Sequence, residues 1–267
     1  MPAPKSKIKL GVFIPGEVQL LDLACVDVLH MMSKEYLSVI PMLPKHIVGI
    51  APSVDIFYIT ITNTNTSSSP SSQTPTQNPN QDGSNLLVPL SAKATLRATH
   101  TLSAPEVQPG NLDILLVPGP EPSATWEKPV LDFLRAHAES PGTDILSICT
   151  GIFLCGAAGL LDNGRTACGP RGLQDVVRAK HPGAKLVGEK YRWIQDGNFW
   201  SSGGITNGND LVAAYTRTGK HFPSAVVEIA CKMADVGDRE QVYSEGQSAF
   251  TFRFVWLLLK GWFSPRR

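Results

Sequence analysis

Residues 143–161, with the sequence TDILSICTGIFLCGAAGLL, place the strongest constraint on how this chain folds. Residues 145–148 are a short run typical of a buried strand, and the apolar residues after Cys149 recur with helical spacing. Cys149 therefore falls at a turn from a strand into a helix. Gly151 lets the backbone turn sharply there, as glycines do around the nucleophile of many hydrolases.

This position makes Cys149 the leading candidate for a nucleophile. A thiol at the N-terminus of a helix meets free N–H groups and the positive end of the helix dipole, which favour the thiolate. We therefore expect a lowered thiol pKa. The alternative is that Cys149 is only a small buried residue, which is how we interpret Cys155 on the apolar side of the same helix.

The rest of the chain repeats the order strand, loop, helix, which predicts an α/β fold with a mostly parallel sheet. The first unit is a strand at 7–14 followed by a helix at 20–32, and its loop carries Glu17, Gln19 and Asp22 at the edge where active groups gather. Further strands are predicted at 47–51, 56–62, 86–90, 114–117, 165–168, 185–187, 191–195 and 199–201, and further helices at 126–138, 172–180, 210–218 and 225–235.

Composition narrows the range of partners and compartments. The net charge of +1 gives no electrostatic attraction to nucleic acid or anionic membranes, so we expect neither partner, and a small neutral substrate fits better. The five cysteines are scattered, without the spacing of a zinc site or a disulfide framework, so we expect no metal and a reducing compartment. The absence of an apolar signal-peptide core near Met1 favours the cytoplasm.

We expect residues 1–267 to form a single domain with two unusual segments. Residues 63–85 are rich in Ser, Thr, Pro, Asn and Gln, which predicts a flexible polar insertion. Residues 248–267 form an aromatic C-terminal tail, which is typical of a docking or dimer-facing segment.

Several motifs together resemble the ThiJ/PfpI family of the class I glutamine amidotransferase-like superfamily. They are LLDLA at 20–24 after Pro15-Gly16, DILLVPG at 113–119, SICTG at 147–151 and AAGLLD at 157–162. The resemblance implies a flavodoxin-like three-layer sandwich, with helices on both faces of a mostly parallel sheet. It also implies a homodimer, no cofactor, and a reactive cysteine paired with an acid from the first loop, here Asp22.

The sequence departs from the peptidase members of that family. Their histidine, about twenty residues beyond the cysteine, corresponds to Gly169, and none of the six histidines occupies a motif position. A Cys–His mechanism would therefore lack its base. A cysteine with an acid and no histidine is most similar to the isocyanide hydratase branch.

That branch implies thiolate attack on an isocyanide and hydrolysis of the resulting thioimidate to an N-formamide. By motif, Cys149 is the nucleophile and Asp22 the acid/base, while Thr150, Gly119 and Gly151 shape the substrate pocket. Two alternatives stay open. One is a glyoxalase or deglycase activity on 2-oxoaldehydes through the same thiol, and the other is a non-catalytic redox sensor, because an exposed thiol of low pKa is readily oxidised.

Overall fold

The computed structural model describes residues 5–61 and 86–262. The strands are β1 (Lys7–Phe13), β2 (Ser53–Thr60), β3 (Leu87–Pro89), β4 (Thr95–Arg97), β5 (His100–Thr101), β6 (Ile114–Val117), β7 (Asp144–Ser147), β8 (Thr166–Ala167), β9 (Lys185–Leu186), β10 (Trp193–Asp196) and β11 (Phe199–Ser202). The α-helices are α1 (Ala24–His30), α2 (Lys34–Ser38), α3 (Lys45–Ile50), α4 (Lys128–Glu139), α5 (Gly151–Ala157), α6 (Gln174–Lys180), α7 (Asn207–Arg217), α8 (Ser224–Ala234) and α9 (Gln247–Trp262).

Within these residues a seven-stranded sheet runs in the order β10-β11-β7-β6-β1-β2-β5. Every neighbouring pair is parallel except the hairpin of β10 and β11. β6 is central and its four residues are all buried, as expected for a parallel strand covered on both faces. The carboxyl ends of β1, β6 and β7 are therefore neighbours, and the loops that follow them converge.

Two apolar cores lie on opposite faces of the sheet, which confirms the three-layer sandwich. Successive residues of β6, such as Leu115 and Leu116, point into different cores because side chains alternate between the two faces along a strand. One core joins the sheet to α1, α7 and α8, and the other joins it to α4, α5 and α6.

The clearest differences between predicted and observed elements lie in the first fifty residues. Residues 47–51 were expected to form a strand but lie mostly in helix α3, which begins after Pro44 and buries none of its residues. A short apolar run has no periodicity that separates the two states. The predicted helix at 20–32 is divided into a 3₁₀ turn at Leu20–Leu23 and the α-helix α1.

The two unusual segments fare differently. The predicted polar insertion at 63–85 lies outside the described residues. The aromatic tail contains helix α9, which has no buried residue and exposes large apolar side chains such as Trp256 and Leu258 by more than half. In the part of the chain that the structure describes, no helix has the length and apolar character needed to cross a membrane.

Candidate active site

The backbone of Cys149 adopts a conformation that is rare for a residue with a side chain. Its φ angle is 54°, in the left-handed region, between the end of β7 and the start of α5. Only 7% of the residue is exposed. Gly151 makes the turn possible, because a Cβ atom there would lie 2.3 Å from the carbonyl oxygen of Val117. Such strain is typical of a residue held in place for chemistry.

Asp22 is an unusual carboxyl group because it is completely buried. Its Oδ2 atom accepts a hydrogen bond of 2.8 Å from the backbone N–H of Gly119, whereas Oδ1 has no partner among the described residues. Burial raises the pKa of Asp22 to about 7, and the Gly119 bond opposes this only in part. Asp22 therefore exchanges a proton near neutral pH, and Oδ1 is the oxygen free to do so.

Gly119 lies between Asp22 and Thr150, the residue that follows Cys149. A Cβ atom on Gly119 would lie 2.3 Å from Oγ1 of Thr150 and 2.6 Å from Oδ2 of Asp22. The hydroxyl of Thr150 donates a 2.7 Å hydrogen bond to the carbonyl oxygen of Pro120. The Cys149 turn is thus fastened to the loop after β6. Of the five predicted site residues, the structure places Asp22, Gly119, Thr150 and Gly151 around the Cys149 turn.

The expected lowering of the Cys149 pKa is wrong in direction. Burial, followed by the nearby charge of Asp22, raises the pKa of this thiol to about 11. The backbone groups of Ile205 and Thr150 lower the thiol pKa and oppose the rise without cancelling it. Helix α5 has only seven residues, so its dipole is small beside the cost of ionising a buried thiol. The resting form of Cys149 is the neutral thiol.

Ile205 is the site residue that the sequence analysis missed. It lies in the glycine-rich turn between β11 and α7, and its backbone lowers the pKa of the Cys149 thiol. Its place was foreseeable, because this turn repeats the strand, turn and helix order and β11 neighbours β7 in the sheet. No side chain there carries the interaction, however, so residue type gave no signal.

No metal site was expected, and within residues 5–61 and 86–262 no group of three or more His, Cys, Asp or Glu side chains is suited to hold an ion.

Cys155 is fully buried in the core beneath the site, and burial raises its pKa to about 12. The interpretation of Cys155 as a core residue is consistent with this environment.

The raised pKa of Asp22 has a consequence for stability. Between pH 4 and 7 the folded protein holds this proton while the unfolded chain releases it, so the free energy of unfolding falls as pH rises through that window. An asparagine side chain at this position does not titrate. We therefore expect the stability of Asp22→Asn relative to the native protein to increase by roughly 4 kcal/mol from pH 4 to pH 8. Urea unfolding at both pH values measures it. Glu17→Gln, at an exposed position, is the control. If the stability difference between Asp22→Asn and the native protein were the same at both pH values, the raised pKa of Asp22 would be contradicted.

A second prediction concerns Gly119. In Gly119→Ala the new methyl group overlaps Thr150 and Asp22, so we expect a loss of about 3 kcal/mol in the free energy of unfolding. Gly16→Ala is the matched control, because a Cβ atom at Gly16 would meet nothing within 4 Å. Urea denaturation of both variants tests this prediction. Equal midpoints would contradict it and would show that the loop after β6 can move to accommodate the methyl group.

Comparisons with known proteins identify the family of this chain. A sequence model of the DJ-1/PfpI family matches residues 83–218. The isonitrile hydratase of Pseudomonas putida is 32% identical over 127 residues, which are 47% of this chain and 52% of that protein, so the chain spans about half the length of this relative.

Two solved structures share the fold at low sequence identity. A ThiJ/PfpI family protein of Pseudomonas syringae is 16% identical with a TM-score of 0.62, over 97% of this chain and 88% of that one. A DJ-1 superfamily protein of Salmonella typhimurium is 16% identical with a TM-score of 0.59, over 86% of this chain and 98% of that one. The family model covers half of the chain, so this chain belongs to the DJ-1/PfpI family.

Proposed function

We propose that this protein is a cofactor-independent cysteine hydro-lyase that hydrates isocyanides to N-formamides. The observation that carries the proposal is the buried Asp22 carboxyl, whose pKa is raised to about 7, beside a thiol on a strained strand-to-helix turn. The isonitrile hydratase relative supports the same chemistry, since isonitrile is another word for isocyanide.

In the proposed reaction, the proton that the Cys149 thiol loses is the proton that the isocyanide carbon gains. Asp22 takes the proton of the Cys149 thiol and delivers it to the isocyanide carbon as the sulfur bonds to that carbon. The product is a thioimidate, in which the former isocyanide carbon carries one hydrogen and the sulfur. Water then adds to this carbon, the carbon–sulfur bond breaks, and the thiol is regenerated as the N-formamide leaves.

The surrounding groups suit this sequence. Oδ1 of Asp22 has no partner among the described residues, so it is available to carry the proton, while the Gly119 bond holds the other oxygen. The backbone of Ile205 lowers the pKa of the Cys149 thiol and so favours the thiolate that forms during attack and departure. Gly119 and Gly151 leave no room for a Cβ atom, so Asp22, Thr150 and the carbonyl oxygen of Val117 pack closely against them. We assign to Thr150, Gly119 and Gly151 the shaping of the substrate pocket.

The redox-sensor alternative fits the site less well. Sensor cysteines are exposed and have a low pKa, whereas Cys149 is buried and its pKa is raised. A 2-oxoaldehyde activity would use the same thiol, and no feature of the site favours it over isocyanide hydration. Both substrate classes therefore belong in the same assay.

The test is to incubate the purified protein with an aliphatic and an aryl isocyanide and to follow N-formamide formation by chromatography. Methylglyoxal is assayed in parallel for lactate formation. Enzymatic formamide production at neutral pH is the expected result. Turnover of methylglyoxal without any formamide would replace the proposal with the 2-oxoaldehyde activity.

The proposal includes the homodimer and the cytoplasmic location that the sequence analysis predicts. The exposed apolar side chains of Phe252, Val255, Trp256 and Leu259 on α9 are consistent with a covered surface in an assembly. The single domain over residues 1–267 also stays a prediction.

A further inference from the structure

A groove of about 600 Å³ lies between α9 and the loop that leads into α7. Four arginines line it: Arg171, Arg192, Arg239 and Arg253. Its other wall is apolar and is formed by Phe250, Phe254 and Leu257, which share one side of α9 at helical spacing. The volume is in the range of small-molecule sites, which is ~300–1,000 Å³.

Two of the four arginines already have a carboxylate partner. Arg239 pairs with Asp210, and Arg253 pairs with Glu245 at 2.9 Å. In the described part of the chain, no carboxylate oxygen lies within 4.0 Å of the guanidinium nitrogens of Arg171 or Arg192. These two side chains therefore give the groove an excess of positive charge.

Arg171 is the more unusual of the two because only 9% of it is exposed. Its Nε and Nη2 atoms donate to the side chain of Gln247 and to the backbone oxygen of Glu245, at 3.1 and 2.9 Å. Its Cζ atom also lies 4.3 and 4.6 Å from the ring centres of Tyr243 and Phe250. These contacts are with neutral groups, which orient a buried cation without balancing its charge.

Arg192 is held in a similar way. Its Cζ atom lies 4.4 Å from the centre of the Tyr243 ring, and its Nε donates to the backbone oxygen of Glu240 at 2.9 Å. Tyr243 is fixed in turn, because its hydroxyl accepts a 2.6 Å hydrogen bond from Asn207. Both guanidinium groups are thus fixed by aromatic and backbone contacts before any ligand arrives, which lowers the entropy lost on binding.

We propose that this groove binds a small organic anion, a carboxylate or phosphate attached to an apolar body. The guanidinium fork of Arg171 or Arg192 matches two oxygens of such an anion, and the α9 wall covers the apolar part. The proposal does not depend on the proposed enzymatic function. The groove is nevertheless close to that site, because Gly204 and Thr206 line it, and the backbone of Ile205 between them influences the pKa of the Cys149 thiol.

Isothermal titration calorimetry tests the proposal with four probes: phenyl phosphate, phenylacetate, inorganic phosphate and 2-phenylethanol. We expect at least one aryl anion to bind, the uncharged alcohol not to bind, and inorganic phosphate to bind more weakly than phenyl phosphate. The better of the two aryl anions identifies the acidic group. Failure of both at 10 mM would overturn the proposal.

Variants locate the binding. Arg171→Gln and Arg192→Gln should each weaken the aryl anion at least tenfold, while Arg178→Gln, on an exposed arginine of α6, should leave it unchanged. Phe254→Ser should weaken the aryl anion and not inorganic phosphate, with Phe252→Ser, outside the groove lining, as its control. Arg171→Gln removes a buried side chain, which by itself can prevent folding, so Arg192→Gln and Phe254→Ser are the decisive variants. If both bound the aryl anion with native affinity, the groove would be ruled out as its binding site.

Discussion

Replacing Cys149 with alanine is expected to abolish formation of N-formamide, lowering kcat/KM by about 10⁴-fold or more. The sulfur is the atom that bonds to the isocyanide carbon in the proposed reaction, so no thioimidate can form at this turn without it. Alanine keeps the Cβ atom and adds no bulk to the strained turn at φ 54°, so the fold should be retained. Steady-state kinetics with an isocyanide measure the loss.

Cys155→Ala is the matched control for this prediction. Cys155 lies six residues further along, in helix α5, and is completely buried, so its removal costs stability and should leave the chemistry intact. Mass spectrometry of a trapped intermediate adds a second observation, because a thioimidate adduct should appear on Cys149 alone. If Cys149→Ala retained a large share of native activity, the nucleophile would have to be sought elsewhere.

Much of the fold was predictable because its units repeat one pattern. Strand β6 was placed at Ile114–Val117 from a bounded apolar run, and helix α8 was placed within one residue at each end. Parallel strands buried on both faces give apolar runs that stand out in any sequence. Helix α3 was mistaken for a strand because five apolar or small residues in a row are compatible with either state.

The positions of the candidate site residues could also be predicted from the sequence, but not their ionisation. The positions of Cys149 and Asp22 followed from their places at the carboxyl ends of strands, with the family resemblance deciding for Asp22. Their pKa values depend on how completely the fold removes water from both groups, which only packing reveals. A local argument from the helix dipole therefore gave the wrong direction for the thiol.

The arginine groove lay beyond the reach of sequence reasoning for a different cause. Arg171, Arg192 and Tyr243 are spread over more than seventy residues, and none belongs to a motif. Their assembly depends on the 3₁₀ turn at Arg171–Leu173, on β10 and on the segment before α9 meeting at one edge of the sheet. Long-range contacts of this kind leave no spacing that a linear pattern would show.

The Asp22→Asn variant is expected to lose 10²- to 10⁴-fold in kcat/KM and to change the shape of the pH profile. Reaction requires one proton shared between Cys149 and Asp22, whichever of the two carries it at rest. The native rate should therefore rise as pH increases through about 7, where the pair goes from two protons to one. It should fall again near pH 11, where the pair loses the remaining proton.

In Asp22→Asn the limb near pH 7 should vanish. The residual rate should instead rise at the pKa of the thiol itself, which should fall because the charge of Asp22 no longer opposes ionisation of Cys149. Asparagine is nearly the same shape and its carbonyl oxygen still accepts the Gly119 N–H, so the pocket is preserved while proton transfer is removed. Glu17→Gln, in the same loop and exposed, should keep the native profile. A limb near pH 7 that survives in Asp22→Asn would assign the proton to another group, and Asp22 would then be a structural acid that fixes the loop after β6.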